Sequence, residues 1–240
     1  MMLHLAVFTV LLTLPEVLSA FSAHQVQDNN ISVRFSLYPN VAHEDPPSMK
    51  QAVKAAVGRL GDLGVHIRPD DVSSCLIGSE SALFEALRSC FARACLTADG
   101  KPRGISMQAT FAAAAAALDD YSHVELPVRT AVIHDDMEFV RDAYLQPPRI
   151  AAQFALYPMG TNSPMQTVET VKDNAKQFSC WKHDLGSVSA MLDGDGNEVF
   201  DVLRESLALA RDDSENVAMT ITLTANKNAW PVEDRSQELR

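Results

Sequence analysis

Residues 31–39 read ISVRFSLYP, and residues 150–158 read IAAQFALYP. Ile, Phe, Leu, Tyr and Pro fall at the same places in both. A second pair of blocks follows in the same order: Leu83-Phe-Glu-Ala-Leu-Arg-Ser-Cys-Phe-Ala-Arg-Ala94 matches Val199-Phe-Asp-Val-Leu-Arg-Glu-Ser-Leu-Ala-Leu-Ala210. A third sets Met107-Gln-Ala-Thr-Phe111 against Met219-Thr-Ile-Thr-Leu223. The distance from first to second block is three residues shorter in the second copy, and one loop takes up the difference, residues 40–49 against 159–165. Self-similarity of this kind marks an internal duplication.

Each copy carries the same succession of elements. Val33, Phe35 and Leu37 alternate with Arg34, Ser36 and Tyr38, the period of a strand with one core face. Pro39 has no N–H to give to a ladder, so the strand is expected to end there. Met49, Ala52, Val53, Ala56, Val57 and Leu60 recur at helical spacing, and Gly61 and Gly64 close that helix. Residues 65–67 read as a short strand, 68–71 as a turn, and 72–77 as the next strand. Ser79 is the expected N-cap of a second helix, whose inner face is Leu83, Phe84, Leu87, Phe91 and Ala94. The second copy repeats that face at Val199, Phe200, Leu203, Leu207 and Ala210. Residues 105–111, and 217–225 in the second copy, supply the closing strand. The order is βαββαβ, so the fold expected is α+β: two tandem ferredoxin-like repeats, antiparallel sheets with helices on one face. The repeats span residues 29–111 and 150–228. Residues 112–149 read as a connector and 229–240 as a charged tail. A sheet covered on one face leaves the other needing cover, so two such sheets would cover each other or pair with those of a second subunit, and a homodimer is expected.

Composition narrows the function classes. The 240 residues are 47% hydrophobic and 21% charged, ordinary for a globular protein. A formal charge of −11 argues against a nucleic-acid partner, which needs clustered Lys and Arg. Residues 5–14 (LAVFTVLLTL) are too short to span a bilayer as a helix but fit a signal-peptide core, with Ser19 and Ala20 near a cleavage point. Residues 1–28 are therefore read as a targeting peptide and leader, directing the chain to the secretory pathway or an organelle. A packed N-terminal helix on a cytoplasmic protein is the alternative. Cys75, Cys90, Cys95 and Cys180 form no metal-type spacing and read as scattered free thiols.

The sequence holds no nucleophile elbow, Walker loop, His-Glu-x-x-His or dinucleotide glycine motif. No catalytic residue and no metal ligand is assigned. The seven histidines are dispersed, although His66 and His183 fall near corresponding turns of the two copies. Residues 193–198 (DGDGNE) resemble a calcium loop, yet an EF-hand starting at Asp193 would need Gly at its sixth position and Glu at its twelfth. Glu198 and Arg204 stand there, so a strand-to-helix turn with Asp195 at the cap is the better reading. Tyr38 and Tyr157 are a matched pair at the exits of the first strands. Each either anchors its strand or offers a ring face to a flat ligand, and stacking on a cationic ring would contribute ~1 kcal/mol. Carbonyls beside Pro39 and Pro158 would be free to accept ligand hydrogen bonds. Ser73, Ser74 and Ser189 offer short hydroxyls nearby.

These residues resemble a known family. Arg34-Phe-Ser-Leu-Tyr-Pro39 and Gln153-Phe-Ala-Leu-Tyr-Pro-Met159 look like the paired first-strand motifs of YkoF-type thiamin/hydroxymethylpyrimidine-binding proteins. Leu192-Asp-Gly-Asp195, Val199-Phe200 and Met219-Thr-Ile-Thr-Leu-Thr-Ala-Asn226 are similar to the family's second-half blocks. The resemblance implies two ferredoxin-like repeats, a dimer, and a site in each repeat for an aminopyrimidine. It places the ligand contacts near Leu37 and Ser74 in the first copy, and near Leu156 and Ala190 in the second. The function so implied is binding of thiamin or its hydroxymethylpyrimidine moiety without transformation, for sequestration, transport or salvage, with no cofactor. An enzyme on the same scaffold, or a regulatory module whose open sheet binds a protein, are the alternatives.

Overall fold

The computed structural model describes residues 31–40, 56–57, 60–69, 73–96, 103–114 and 148–225. The leader, most of the connector, the tail and most of the first helix of the first copy lie outside the described residues. The chain runs β1 (Ile31–Asn40), a 3-10 turn (Leu60–Leu63), β2 (His66–Pro69), β3 (Ser74–Gly78), α1 (Glu80–Ala94) and β4 (Gly104–Ala114). The second half follows with β5 (Ile150–Met159), α2 (Pro164–Ala175), β6 (Trp181–Asp184), β7 (Ser189–Gly194), α3 (Gly196–Asp212) and β8 (Asn216–Ala225).

All eight strands form one antiparallel sheet in the order β2-β3-β1-β4-β8-β5-β7-β6. Each half has the ferredoxin-like strand order, and the two join edge to edge through β4 and β8, from Ile105↔Ala225 to Ala114↔Asn216. The expectation of two separate sheets is thereby corrected. Closing strands with free edges satisfy each other's N–H and C=O groups, and no internal sheet edge is left exposed.

Alternation then settles which way every residue faces. Ile31, Val33 and Phe35 are buried, as are Ile105, Met107, Ala109 and Phe111 on β4 and Val217, Met219, Ile221 and Leu223 on β8. Met107 is registered with Leu223, so the inner residues of both halves share one face. The helices cover that face. α1 buries Leu83, Phe84, Leu87, Phe91 and Ala94, and α3 buries Val199, Phe200, Leu203, Leu207 and Ala210, the two matched faces read from the repeat. Phe84 stacks on Phe111 with centroids 4.5 Å apart, and Phe91 meets Phe200 edge-on at 6.3 Å. Each such fully buried side chain contributes about 1.5–3 kcal/mol relative to exposure.

The caps are those the residues predict. Ser79 Oγ accepts from Ala82 N, and Asp195 Oδ1 accepts from Asn197 N and Glu198 N. α1 and α3 lie antiparallel against each other: Arg211 near the end of α3 donates to Glu80 at the start of α1 at 2.7 Å, and Arg88 donates to Asn197 at 2.6 Å. Gly64 has φ +75°, the left-handed conformation that ends the first helical segment before β2. Strand limits shift a little from expectation. β1 and β5 continue one residue past Pro39 and Pro158, whose positions stay in register with Ile105 and Val217. No helix among the described residues is long and apolar enough to cross a membrane.

Candidate functional site

Strand pairing brings the matched residues together in the same way in both halves. Leu37 is registered with Met107 and Leu156 with Met219, while Phe35 is registered with both Ser74 and Ala109. In the second half Phe154 is registered with both Ala190 and Ile221. Leu37 therefore sits one inner-face step beyond Phe35, beside Ser74, and Leu156 holds the same relation to Ala190. All four lie on the helix-covered face.

The tyrosines do not join them. With a period of two, Tyr38 and Tyr157 must point to the other face, where they are 51% and 44% exposed. The thickness of the sheet separates each tyrosine from the leucine next to it. One flat ring cannot touch Leu37, Ser74 and Tyr38 together, nor Leu156, Ala190 and Tyr157. The ladder is not broken towards β4 and β8 at the prolines either. What ends early is pairing with the third strand of each half, at Phe35↔Ser74 and Ala155↔Ser189.

The matched positions differ in exposure. Leu37 and Ser74 are half-buried, whereas Leu156 and Ala190 are wholly enclosed. Residues 185–188, the turn between β6 and β7, carry the pairing of β5 one step past Ala155. Leu156 N donates to Val188 O at 3.0 Å, and Leu185 N donates to Ser189 O at 3.0 Å. Gly186, at φ +149°, takes a backbone conformation that side chains rarely adopt. From α2, the Lys172 side chain, 4% exposed, reaches across to this turn. Its ammonium contacts Asp184 Oδ1 at 2.9 Å and Glu169 Oε1 at 3.0 Å, and it donates to the carbonyls of Gly186 and Ser187 at 3.4 Å. Burial alone would lower the lysine pKa, but the hydrogen bonds and charges of Asp184 and Glu169 outweigh it, and the pKa is raised. Reading the sequence for function missed this group. The signal was a lysine at an inner helical position, in the run Val168, Val171, Lys172, Ala175.

Other candidates are dispersed. His66 and His183 lie on β2 and β6, strands rather than turns, at opposite ends of the sheet. The carboxylates of 193–198 are divided: Asp193 pairs with Arg149 at 2.8 Å, Asp195 caps α3, and Glu198 accepts from Ser179. No group of three or more His, Cys, Asp or Glu converges among the described residues. The four cysteines are free, and Cys90, Cys95 and Cys180 are buried. A shallow cleft of about 420 Å³ lies between α1 and α3 over Phe84 and Phe200. Its Arg88 is already committed to Glu85 and Asn197.

Comparison with known proteins agrees with the motifs. Residues 149–229, the second half, match the model of the YKOF-related Family. The chain is 28% identical over 193 residues to a Bacillus subtilis (strain 168) protein named "Putative HMP/thiamine-binding protein YkoF", covering 80% of this chain and 88% of that one. The resemblance to the YkoF family read from the repeated blocks is borne out.

Proposed function

We propose that this relative of the YkoF family is a binding protein for thiamin or its hydroxymethylpyrimidine moiety, which it holds without chemical transformation. The observation that carries the reading is the shared register. The two halves set Leu37 with Ser74, and Leu156 with Ala190, at one place on the inner sheet face, in a chain similar over most of its length to a protein named for HMP/thiamine binding. An apolar wall with a single hydroxyl suits a flat heterocycle. Burial supplies most of the affinity, and one polar contact at Ser74 orients the ring. Sequestration, transport or salvage of the vitamin follows from binding without turnover. Calorimetric titration tests the reading: heat with thiamin or hydroxymethylpyrimidine supports it, and none with either up to millimolar ligand overturns it.

The assembly proposed with this function is a homodimer built on the open sheet face. Across β1, β4, β8 and β5 that face carries Ser, Thr, Gln and Ala, with Tyr38, Tyr157 and Met159 at its corners, and Arg34 is its one charge among the described residues. Depletion of charge over so wide a surface, in a chain of net charge −11, suits contact with a second copy.

A further inference from the structure

We infer that the cleft between α1 and α3 is a second small-molecule site, distinct from the one proposed for thiamin, and takes an α-amino acid with an apolar side chain. The cleft, of about 420 Å³, is bounded by Phe84, Glu85 and Arg88 of α1 and by Phe200, Asp201 and Arg204 of α3. The alignment that sets Leu83 on Val199 sets these residues on one another in order, so three matched pairs face one cleft. Neither repeat supplies it alone. Its volume lies within the range of small-ligand sites, which combine an apolar floor with a few polar groups at the rim.

The matched pairs share residue types but not partners. Arg88 donates through Nε and Nη2 to Glu85 Oε2, and through Nη1 to Asn197 Oδ1 at 2.6 Å. One carboxylate and one amide oxygen thus satisfy that guanidinium. The corresponding group across the cleft is Arg204 with Asp201 and Ser81. Asp201 is one carbon shorter than Glu85. The Ser81 hydroxyl ends one atom short of the Asn197 oxygen and is engaged with Ser79 Oγ at 3.3 Å. Among the described residues, Arg204 and Asp201 make no hydrogen bond or ion pair, and both are exposed. The closed group displays what the open one lacks, a planar carboxylate for the guanidinium fork. A bare anion would also meet Asp201, so the occupant needs a cationic donor as well. A carboxylate and an ammonium on one carbon satisfy both, because Asp201 and Arg204 stand one helical turn apart, about 5–6 Å between Cβ atoms. The side chain of the amino acid then lies over the edges of Phe84 and Phe200.

Nuclear magnetic resonance titration of the full chain with L-phenylalanine tests the site. Amide shifts are expected at residues 81–88 and 200–204, saturating at millimolar ligand. Arg204→Ala removes an exposed side chain and should keep the circular dichroism spectrum of the native chain. It should weaken phenylalanine binding about tenfold or more, the loss of a charge-assisted pair. Hydrocinnamate lacks the ammonium and phenethylamine lacks the carboxylate, so each should bind more weakly than phenylalanine. Absence of shifts up to tens of millimolar, or shifts centred on Leu37 and Ser74, would overturn the inference. So would undiminished affinity in Arg204→Ala, or equal affinity for either of the singly charged analogues. Thiamin takes no part in these titrations, and their outcome is independent of the function proposed above.

Discussion

Ala109 on β4 and Ile221 on β8 occupy the same position of the two repeats and are also each other's partners in the sheet. A duplicated unit can place equivalent residues opposite one another only on a twofold axis. The pseudo-dyad of the molecule therefore passes between these two residues, perpendicular to the sheet. The antiparallel contact of α1 with α3 above them obeys the same axis. The repeat thus forms an internal dimer whose interface is a ladder of main-chain hydrogen bonds sealed by helix packing.

Ile221 is the larger of the pair and lies in the core beneath both central helices. Ile221→Ala should cost about 2–5 kcal/mol, because the rigid ladder on both sides prevents the space from collapsing. Urea denaturation followed by circular dichroism measures the loss.

The open face predicts how the proposed dimer would be broken. Thr110 and Thr220 are registered partners beside the dyad and point away from the helices. Thr220→Glu places a charge in the middle of the proposed contact. Sedimentation should show a monomer with an unchanged circular dichroism spectrum. A native chain that sediments as a monomer at micromolar concentration removes the dimer.

Thiol reactivity should separate the cysteines. Burial raises the Cys90 thiol to about 12 and the Cys180 thiol to about 11, with Glu198 adding to the latter, and Cys95 is also raised. At pH 8 these three should stay unmodified by a disulfide reagent until the protein unfolds. Cys75, half-buried on the open face, should be modified in the native chain. Counting released thiolate before and after denaturant checks this.

The Lys172 ion pairs have a pH signature with a definite sign. Its folded pKa lies above the ordinary lysine value of 10.5, so its stabilising contribution is complete below that value. It is lost as pH rises through the raised value, where the folded chain holds a proton the unfolded chain has released. Protection of the Leu185 and Leu156 amides should persist to pH 10 and fall only above the ordinary lysine range.

Asp195 caps α3 with two main-chain hydrogen bonds and takes no part in a metal cage among the described residues. Asp195→Ala should cost about 1 kcal/mol, and calcium should leave the melting temperature of the native chain unchanged. A calcium-dependent rise in melting temperature would contradict the capping role.

The duplicated blocks made most of the fold legible. Val33, Phe35 and Leu37 declared a strand by their period, and Leu83 to Ala94 declared a helix face that its copy repeated. Ser79 and Asp195 announced caps because their short polar side chains suit that place. The candidate site was legible only by halves. Leu37 with Ser74, and Leu156 with Ala190, were paired by resemblance, and the register sets each pair side by side. Tyr38 and Tyr157 were grouped with them because they are neighbours in the chain, and alternation puts such neighbours on opposite faces.

By itself the order of residues determined the repeat, the βαββαβ path and the inner face of each element, because these depend on local period and on turn chemistry. Tertiary structure alone decided that two four-stranded sheets become one, since edge strands distant in sequence complete each other's hydrogen bonds. It also decided the partners of Lys172, which meets Asp184 and the Gly186 carbonyl only after α2 and the β6–β7 hairpin have packed. Contact between residues so placed is a product of packing, which no local pattern encodes.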